Sequence, residues 1–72
     1  MTEATFEAFI ASIPNVEKRG TDDLRACIRD SAICNANDTV QEDPSADFWD
    51  VALATAKMIA DDWKSFYPEL AA

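Results

Sequence analysis

The longest helical pattern in this chain lies at residues 44–67 and reads PSADFWDVALATAKMIADDWKSFY. After its first residue the stretch has no glycine and no proline before Pro68, and its apolar residues recur at helical spacing. Asp43 can cap the helix, Pro44 suits the first helical position, and Asp47 lies in the first turn. The pattern therefore predicts one C-terminal helix of 24 residues, about 36 Å long.

The apolar side of this predicted helix is unusually wide. At about 100° per residue its apolar side chains cover roughly 220°, whereas an ordinary surface helix has an apolar stripe of about 100°. Two interpretations remain open: the helix is the core element of a small bundle, or another chain covers one flank or end of it. The residues predicted to form this packing or oligomer face are Trp49, Leu53, Ile59, Trp63, Phe66 and Tyr67.

A heptad seam runs along the same predicted helix. Its members are Trp49, Ala52, Ala56, Ile59, Trp63, Phe66 and Leu70. Three repeats are too few to indicate a coiled coil, so the seam leaves the oligomeric state open.

Two shorter helices are predicted upstream. The first runs over about residues 3–13, with Thr2 as its N-cap, and ends before Pro14 because a residue that precedes proline disfavours helix. The second runs over about residues 21–34, begins at Thr21 as its cap, and fades where Asn-Ala-Asn-Asp-Thr has the composition of a loop.

These elements predict an all-α fold. A chain of 72 residues with a single glycine is long enough for one small domain and has few signals for tight hairpins. We expect a small three-helix bundle with helices at about 3–13, 21–34 and 44–67, and an acidic loop before a long C-terminal helix. Residues 1–72 are expected to form a single domain.

The charge of the chain is concentrated in its middle. Between Asp30 and Ala56 there is no lysine or arginine, and this window contributes −6 of the net charge of −8. Its carboxylates belong to Asp30, Asp38, Glu42, Asp43, Asp47 and Asp50. Such a one-sided field attracts basic surfaces and repels nucleic acid and anionic membranes.

The two cysteines are seven residues apart. In a continuous helix Cys27 and Cys34 share a face but lie about 10 Å apart along the axis, whereas a disulfide needs Cα atoms within about 7 Å. We expect buried thiols that act as small hydrophobic groups. An intermolecular disulfide and reactive thiols remain the alternatives.

Little in the sequence indicates catalysis or metal binding. The chain has no histidine, which removes the commonest general base and the usual zinc sites. The predicted loop after Asn35 fails the EF-hand pattern, since Val40 stands where glycine is needed and Ala46 where glutamate is needed. We therefore expect a protein that is not an enzyme and has no cofactor and no metal.

The acidic window favours a role in protein interaction. We expect a cytoplasmic protein that docks on a basic surface of a partner protein, as an inhibitor or regulator that competes for a nucleic-acid-binding site, without contacting nucleic acid or membrane itself. The predicted partner-binding residues are Asp38, Glu42, Asp43, Asp47, Asp50 and Trp49. The alternative is a small structural subunit or homo-oligomer that assembles through the wide apolar face of the third helix.

Overall fold

The computed structural model describes residues 2–14, 16 and 24–71, and this part of the chain is helical without strands. Its helices are α1 (Glu3–Ser12), α2 (Leu24–Glu42), α3 (Phe48–Asp61), α4 (Trp63–Phe66) and α5 (Pro68–Ala71). The predicted all-α class is confirmed. The bounds of the second and third helices differ from the prediction.

Helix α1 lies close to where the sequence predicts it. The hydroxyl of Thr2 accepts a hydrogen bond from the backbone N–H of Thr5 at 3.3 Å, so Thr2 is the N-cap, as predicted. The helix ends at Ser12, and Ile13 is already extended, with ψ at 136°. The cause is Pro14, whose ring disfavours the helical conformation in the residue before it.

The prediction that the second helix fades near Asn35 is wrong. Helix α2 continues through the Asn-Ala-Asn-Asp-Thr segment to Glu42, because Ala32 and Ala36 are fully buried in the core. The side-chain amide of Asn35 donates to the hydroxyl of Thr55 on α3 at 2.8 Å. Packing against α3 therefore outweighs the weak helix propensity of asparagine and threonine. The predicted Thr21 cap lies outside the described residues.

Helix α3 begins later than predicted. Asp47 is its N-cap and accepts from the backbone N–H of Asp50 at 3.0 Å, whereas Asp43 was expected to cap. Asp43 instead accepts from the backbone N–H of Ser45 at 3.1 Å and from the Ser45 hydroxyl at 2.6 Å. This Asx turn places Pro44 in a turn rather than in the first helical position.

The predicted uninterrupted helix over residues 44–67 is also wrong. Helix α3 is 14 residues long and ends at Asp61. Asp62 has φ −136° and ψ 42°, outside the helical region, and its carboxylate accepts from the Ser65 hydroxyl at 3.1 Å. After this break, the half-buried side chains of Trp63 and Tyr67 pack back against the core. The gain from this packing accounts for the break, since the local sequence has no helix breaker.

The three long helices form a helical bundle. Arg29 pairs with Glu7 and Arg25 with Ile13, so α1 and α2 are antiparallel. The Asn35–Thr55 contact, reached through a short turn, makes α2 and α3 antiparallel as well. The buried apolar core consists of Phe6, Ile10, Ile13, Leu24, Ile28, Ala32, Ala36, Ala52, Leu53, Ala56 and Ile59. Alanines on both α2 and α3 allow these two helices to approach closely.

Cys34 departs from the expected burial. The core stripe of α2 follows a spacing of four residues through Leu24 and Ile28 to Ala32, which leaves Cys34 on the other side of the helix. Cys34 is exposed, Cys27 is half-buried, and neither is in a disulfide. The expectation of two buried thiols is therefore wrong for Cys34.

Within the described residues, none of the helices combines the length and the hydrophobicity that crossing a bilayer would require.

Candidate functional site

The end of the bundle where α2 passes into α3 carries most of the acidic window. The connection takes only residues 43–47, so the last turn of α2 lies beside the first turn of α3. The carboxylates of this acidic end, all of them exposed, belong to Asp38, Glu42, Asp43, Asp47 and Asp50. The fold thus brings together the five acidic residues that the sequence predicted as a partner-binding set. Asp30, the sixth carboxylate of the window, lies two turns before Asp38 on α2.

Three of these carboxylates also stabilise the local fold. Asp47 caps α3, and Asp50 lies in the first turn, where a negative charge opposes the helix dipole favourably. Asp43 orders the connecting turn, and the hydrogen bonds from Ser45, chiefly that from its hydroxyl, lower the pKa of the Asp43 carboxyl. The Asp43 carboxylate therefore stays ionised to a lower pH than an ordinary aspartate.

The carboxylates on α2 have no such local benefit. Glu42 is the last residue of α2, whose last turn contains no basic residue. A negative charge at a helix C-terminus adds to the negative end of the dipole and costs about 0.3–1 kcal/mol. Asp38 lies one turn earlier, about 6 Å along the axis. Glu42 and Asp38 are thus surplus charges that helix stability does not explain.

Basic side chains of the described residues lie away from the acidic end. Arg29 precedes Asp38 by nine residues on α2, and Lys57 follows Asp50 by seven on α3, which places them about 10–14 Å away along the helix axes. At physiological ionic strength this exceeds the screening length of about 8 Å. The field at the acidic end is therefore dominated by its own carboxylates.

The arginines take part in the contact between α1 and α2. Arg29 forms an ion pair with Glu7 at 2.9 Å, and this hydrogen bond raises the pKa of the Arg29 guanidinium. Arg25 donates from Nε to the carbonyl oxygen of Ile13 at 2.7 Å. Both groups are partly exposed, so the ion pair contributes at most about 1 kcal/mol to stability.

An aromatic pair borders the acidic end. The rings of Phe48 and Trp49 meet edge to face, with centroids 4.7 Å apart, and both side chains are half-buried. Trp49 also packs against Phe6 at 5.4 Å, so the core holds its ring in one position. The structure therefore places the predicted anchor Trp49 beside the carboxylates, with part of its surface open.

The predicted oligomer face is divided by the fold. Leu53 and Ile59 are buried inside this chain's own core, at 6% and 4% exposure. Trp49, Trp63 and Tyr67 are half-buried, and Phe66 is 48% exposed. Because α3 ends at Asp61, the heptad seam does not follow one helix.

A second surface feature lies between α1 and α3. A shallow, open depression is lined by Phe9, Lys57, Met58, Ala60 and Asp61. Met58 is 58% exposed, and Lys57 lies over the ring of Phe9, with Nζ 5.9 Å from the centroid. Neither Met58 nor Phe9 is among the surface residues predicted from the sequence, because the sequence does not show how α1 packs against α3.

The carboxylates of the acidic end spread over the surface rather than converge on a point. In the described part of the chain, no group of three or more Cys, Asp or Glu side chains is arranged to hold a metal ion.

The later start of α3 has a signal in the sequence that the prediction did not use. Asp43-Pro44 is a dipeptide that favours a turn, and it indicates that the helix begins after residue 44.

No family model, curated protein or solved structure matches this chain. We therefore infer function from the acidic end and the surfaces around it.

Proposed function

We propose that this protein is a non-enzymatic interaction protein whose acidic end docks on a basic surface of a partner protein. The observation that supports it is the exposure of five carboxylates at one end of the bundle, in a window without lysine or arginine. Such a field accelerates association with a basic surface and disfavours acidic partners.

In its sharpest form the proposal is competition for a nucleic-acid-binding site. Basic clefts that bind nucleic acid gain affinity from phosphates, and exposed carboxylates can occupy the same positions. The protein would then act as an inhibitor or regulator of its partner. The half-buried ring of Trp49 would supply an apolar contact at the border of the charged surface, and tryptophan is frequent among binding hot spots.

The charge at the end of α2 supports this proposal over a purely structural role for the acids. Glu42 lies where a lysine would stabilise the helix, and Asp38 makes no contribution to capping. Their replacement by lysine is therefore expected to leave the fold intact, which makes them suitable for a binding test.

The test compares two double variants with the same change in net charge. Asp38→Lys/Glu42→Lys reverses charge at the acidic end, and Asp30→Lys/Asp61→Lys reverses it elsewhere on exposed helix positions. Immobilised proteins are exposed to a lysate of the source cells between about 50 and 500 mM salt, and bound proteins are challenged with double-stranded DNA. We expect wild type and the control variant to retain a partner that salt and DNA release, and the acidic-end variant to lose it.

Two results would argue against the proposal. Equal retention by both variants would mean that the acidic end makes no specific contact. A partner that stays bound from low to high salt and is not displaced by DNA would exclude competition for a nucleic-acid site.

Self-association is a second candidate, favoured by the exposure of two large apolar side chains. Met58 is 58% exposed and Phe66 48% exposed, and both lie toward the C-terminal half of the chain. Assembly as a homo-oligomer or as a subunit of a larger complex would cover them. Sedimentation at micromolar concentration tests this: Met58→Lys would convert an oligomer to monomer, whereas the acidic-end variant would not. A wild-type monomer would rule out the homo-oligomer.

A further inference from the structure

Residues 62–71 are attached to the bundle differently from the long helices. This segment, here named the strap, contains α4 and α5, which have four residues each. Helices of that length are not stable by themselves in water. None of the strap's described side chains is fully buried, and those that pack on the core are the half-buried Trp63, Tyr67 and Leu70. The strap therefore depends on a small set of contacts.

The hydroxyl of Tyr67 connects the strap to α2. It donates to the backbone carbonyl of Cys27 at 3.1 Å and lies 2.7 Å from the hydroxyl of Ser31. A phenol has one proton, so when Tyr67 donates to Cys27 the hydroxyl of Ser31 is the donor to Tyr67. The two contacts are thus compatible. They attach the strap to two residues of α2 that lie one turn apart.

The strap contacts α2 beside one of its two cysteines, and the two cysteines differ in burial. Cys27 and Cys34 are seven residues apart on the continuous helix α2, so they point to nearly the same side. Cys34 is exposed, whereas Cys27 is half-buried where Tyr67 crosses the helix. We attribute the partial burial of Cys27 to the strap.

The hinge of the strap is not imposed by the local sequence. Between Phe48 and Tyr67 there is neither glycine nor proline, and the break lies at Asp62. At the break, backbone hydrogen bonds join residues three apart instead of four apart. The N–H of Asp62 donates to the carbonyl of Ile59 at 3.2 Å, and the N–H of Ser65 donates to the carbonyl of Asp62 at 3.1 Å. Apart from the local contact between Ser65 and Asp62, the bend therefore depends on the packing of the strap on the core and on the Tyr67 hydroxyl.

We propose that the strap is a conformational switch that opens at Asp62 as a unit while α1, α2 and α3 stay packed, and that opening uncovers the surface of α2 around Cys27 and Ser31. The closed state is held by half-buried contacts and by the Tyr67 hydroxyl, while the core contains eleven buried apolar side chains among the described residues. Segments with few buried contacts open at lower free energy than the core. The thiol of Cys27 is thereby gated by the strap, and Cys34 is not.

Hydrogen exchange of the native protein tests the opening. We expect the amides of Ser65, Tyr67 and Leu70 to share one opening reaction and to exchange faster than those of Ala56 and Ile59 in α3. Tyr67→Phe removes both hydroxyl contacts and should speed exchange in the strap roughly tenfold. Equal protection of strap and core amides in the wild type would overturn the proposal.

A matched control separates strap opening from general destabilisation. Thr55→Val removes another hydroxyl that links α2 to α3, through its contact with Asn35 at 2.8 Å. We expect it to raise exchange in α3 and to leave the strap amides nearly unchanged, because those amides exchange through their own opening, whereas Tyr67→Phe should act mainly on the strap. A uniform increase in both variants would also overturn the proposal.

Thiol labelling provides an independent readout. With Cys34→Ser in the background, Tyr67→Phe should increase the labelling rate of Cys27 roughly tenfold, because the rate follows the population of the open state. With Cys27→Ser in the background, the same change should leave Cys34 unaffected, since Cys34 is already exposed. An unchanged rate at Cys27 would contradict gating by the strap.

Discussion

The burial of Phe6 allows a quantitative test of how α1 packs on the bundle. Phe6 is completely buried and its ring contacts Trp49 at 5.4 Å, while Phe9, on the same helix, is half-buried and lies under Lys57. Removal of a fully buried phenylalanine costs about 3–5 kcal/mol, since both the transfer free energy and the cavity contribute. Phe9→Ala should cost roughly half as much, because part of its ring is already in water.

This cost is large compared with the expected stability. At about 0.05–0.15 kcal/mol per residue, a chain of 72 residues has a free energy of unfolding of about 4–11 kcal/mol. Phe6→Ala is therefore expected to remove roughly half of the free energy of unfolding. Phe6→Leu, which keeps most of the volume, should cost about 1–1.5 kcal/mol and lower the melting temperature by about 4–8 °C per kcal/mol.

Urea unfolding, followed by circular dichroism and by tryptophan fluorescence, measures these costs. A double-mutant cycle between Phe6→Leu and Trp49→Leu should give a coupling of about 0.5–1.5 kcal/mol for the aromatic contact. If Phe9→Ala costs as much as Phe6→Ala, or if Phe6→Leu is neutral, then α1 does not pack on α3 in the way described, and the reasoning is refuted.

Three further predictions concern the regions where sequence and structure disagree. Asn37→Pro should cost about 3 kcal/mol or more in a thermal melt and Asn37→Ala should be neutral or stabilising, because Asn37 is an exposed residue inside α2; equal tolerance of both would indicate a loop. Asp47→Ala should lower the free energy of unfolding by about 1 kcal/mol by removing the N-cap of α3, and Asp43→Ala should lower it less. The reverse order in urea unfolding would mean that Asp43 is the N-cap. The pKa of Asp43 is lower in the folded state than in the unfolded state, so the contribution of Asp43 to stability is present above the unfolded pKa and is lost as the pH falls through the folded pKa. An NMR titration should show a lowered midpoint for the Asp43 carboxyl, and Ser45→Ala should raise that midpoint.

The candidate site was largely readable from the sequence, because charge is a local property. The absence of lysine and arginine between Asp30 and Ala56 can be read directly from the sequence. Aspartate and glutamate side chains are exposed in almost any fold, so their position at the surface can be predicted as well. What the sequence did not give is the separation of roles. Asp47 caps a helix and Asp43 orders a turn, whereas Glu42 adds an unfavourable charge at the negative end of the α2 dipole, and this distinction required the helix boundaries.

The amino-acid sequence by itself determined the all-α class, the start of α1 and the charge distribution. The limits of α1 and the charge distribution follow from local features: the Thr2 hydroxyl accepts from an N–H three residues away, Pro14 ends the helix by restricting its neighbour, and the acidic window contains no neutralising base. Interactions of this range are present in the unfolded chain as well as in the folded one, so they can be inferred without a model of the core.

The tertiary structure alone decided where α2 and α3 end. Helix α2 passes through a loop-like segment because Ala32 and Ala36 are buried in the core, and α3 breaks at Asp62, which lets Tyr67 reach α2. Both outcomes run against local propensity, which amounts to less than about 1 kcal/mol per residue for asparagine and threonine. Burial and hydrogen bonds between helices contribute about as much at each contact, and several such contacts act together. Helix limits that depend on partners far away in the sequence are settled only when those partners are in place.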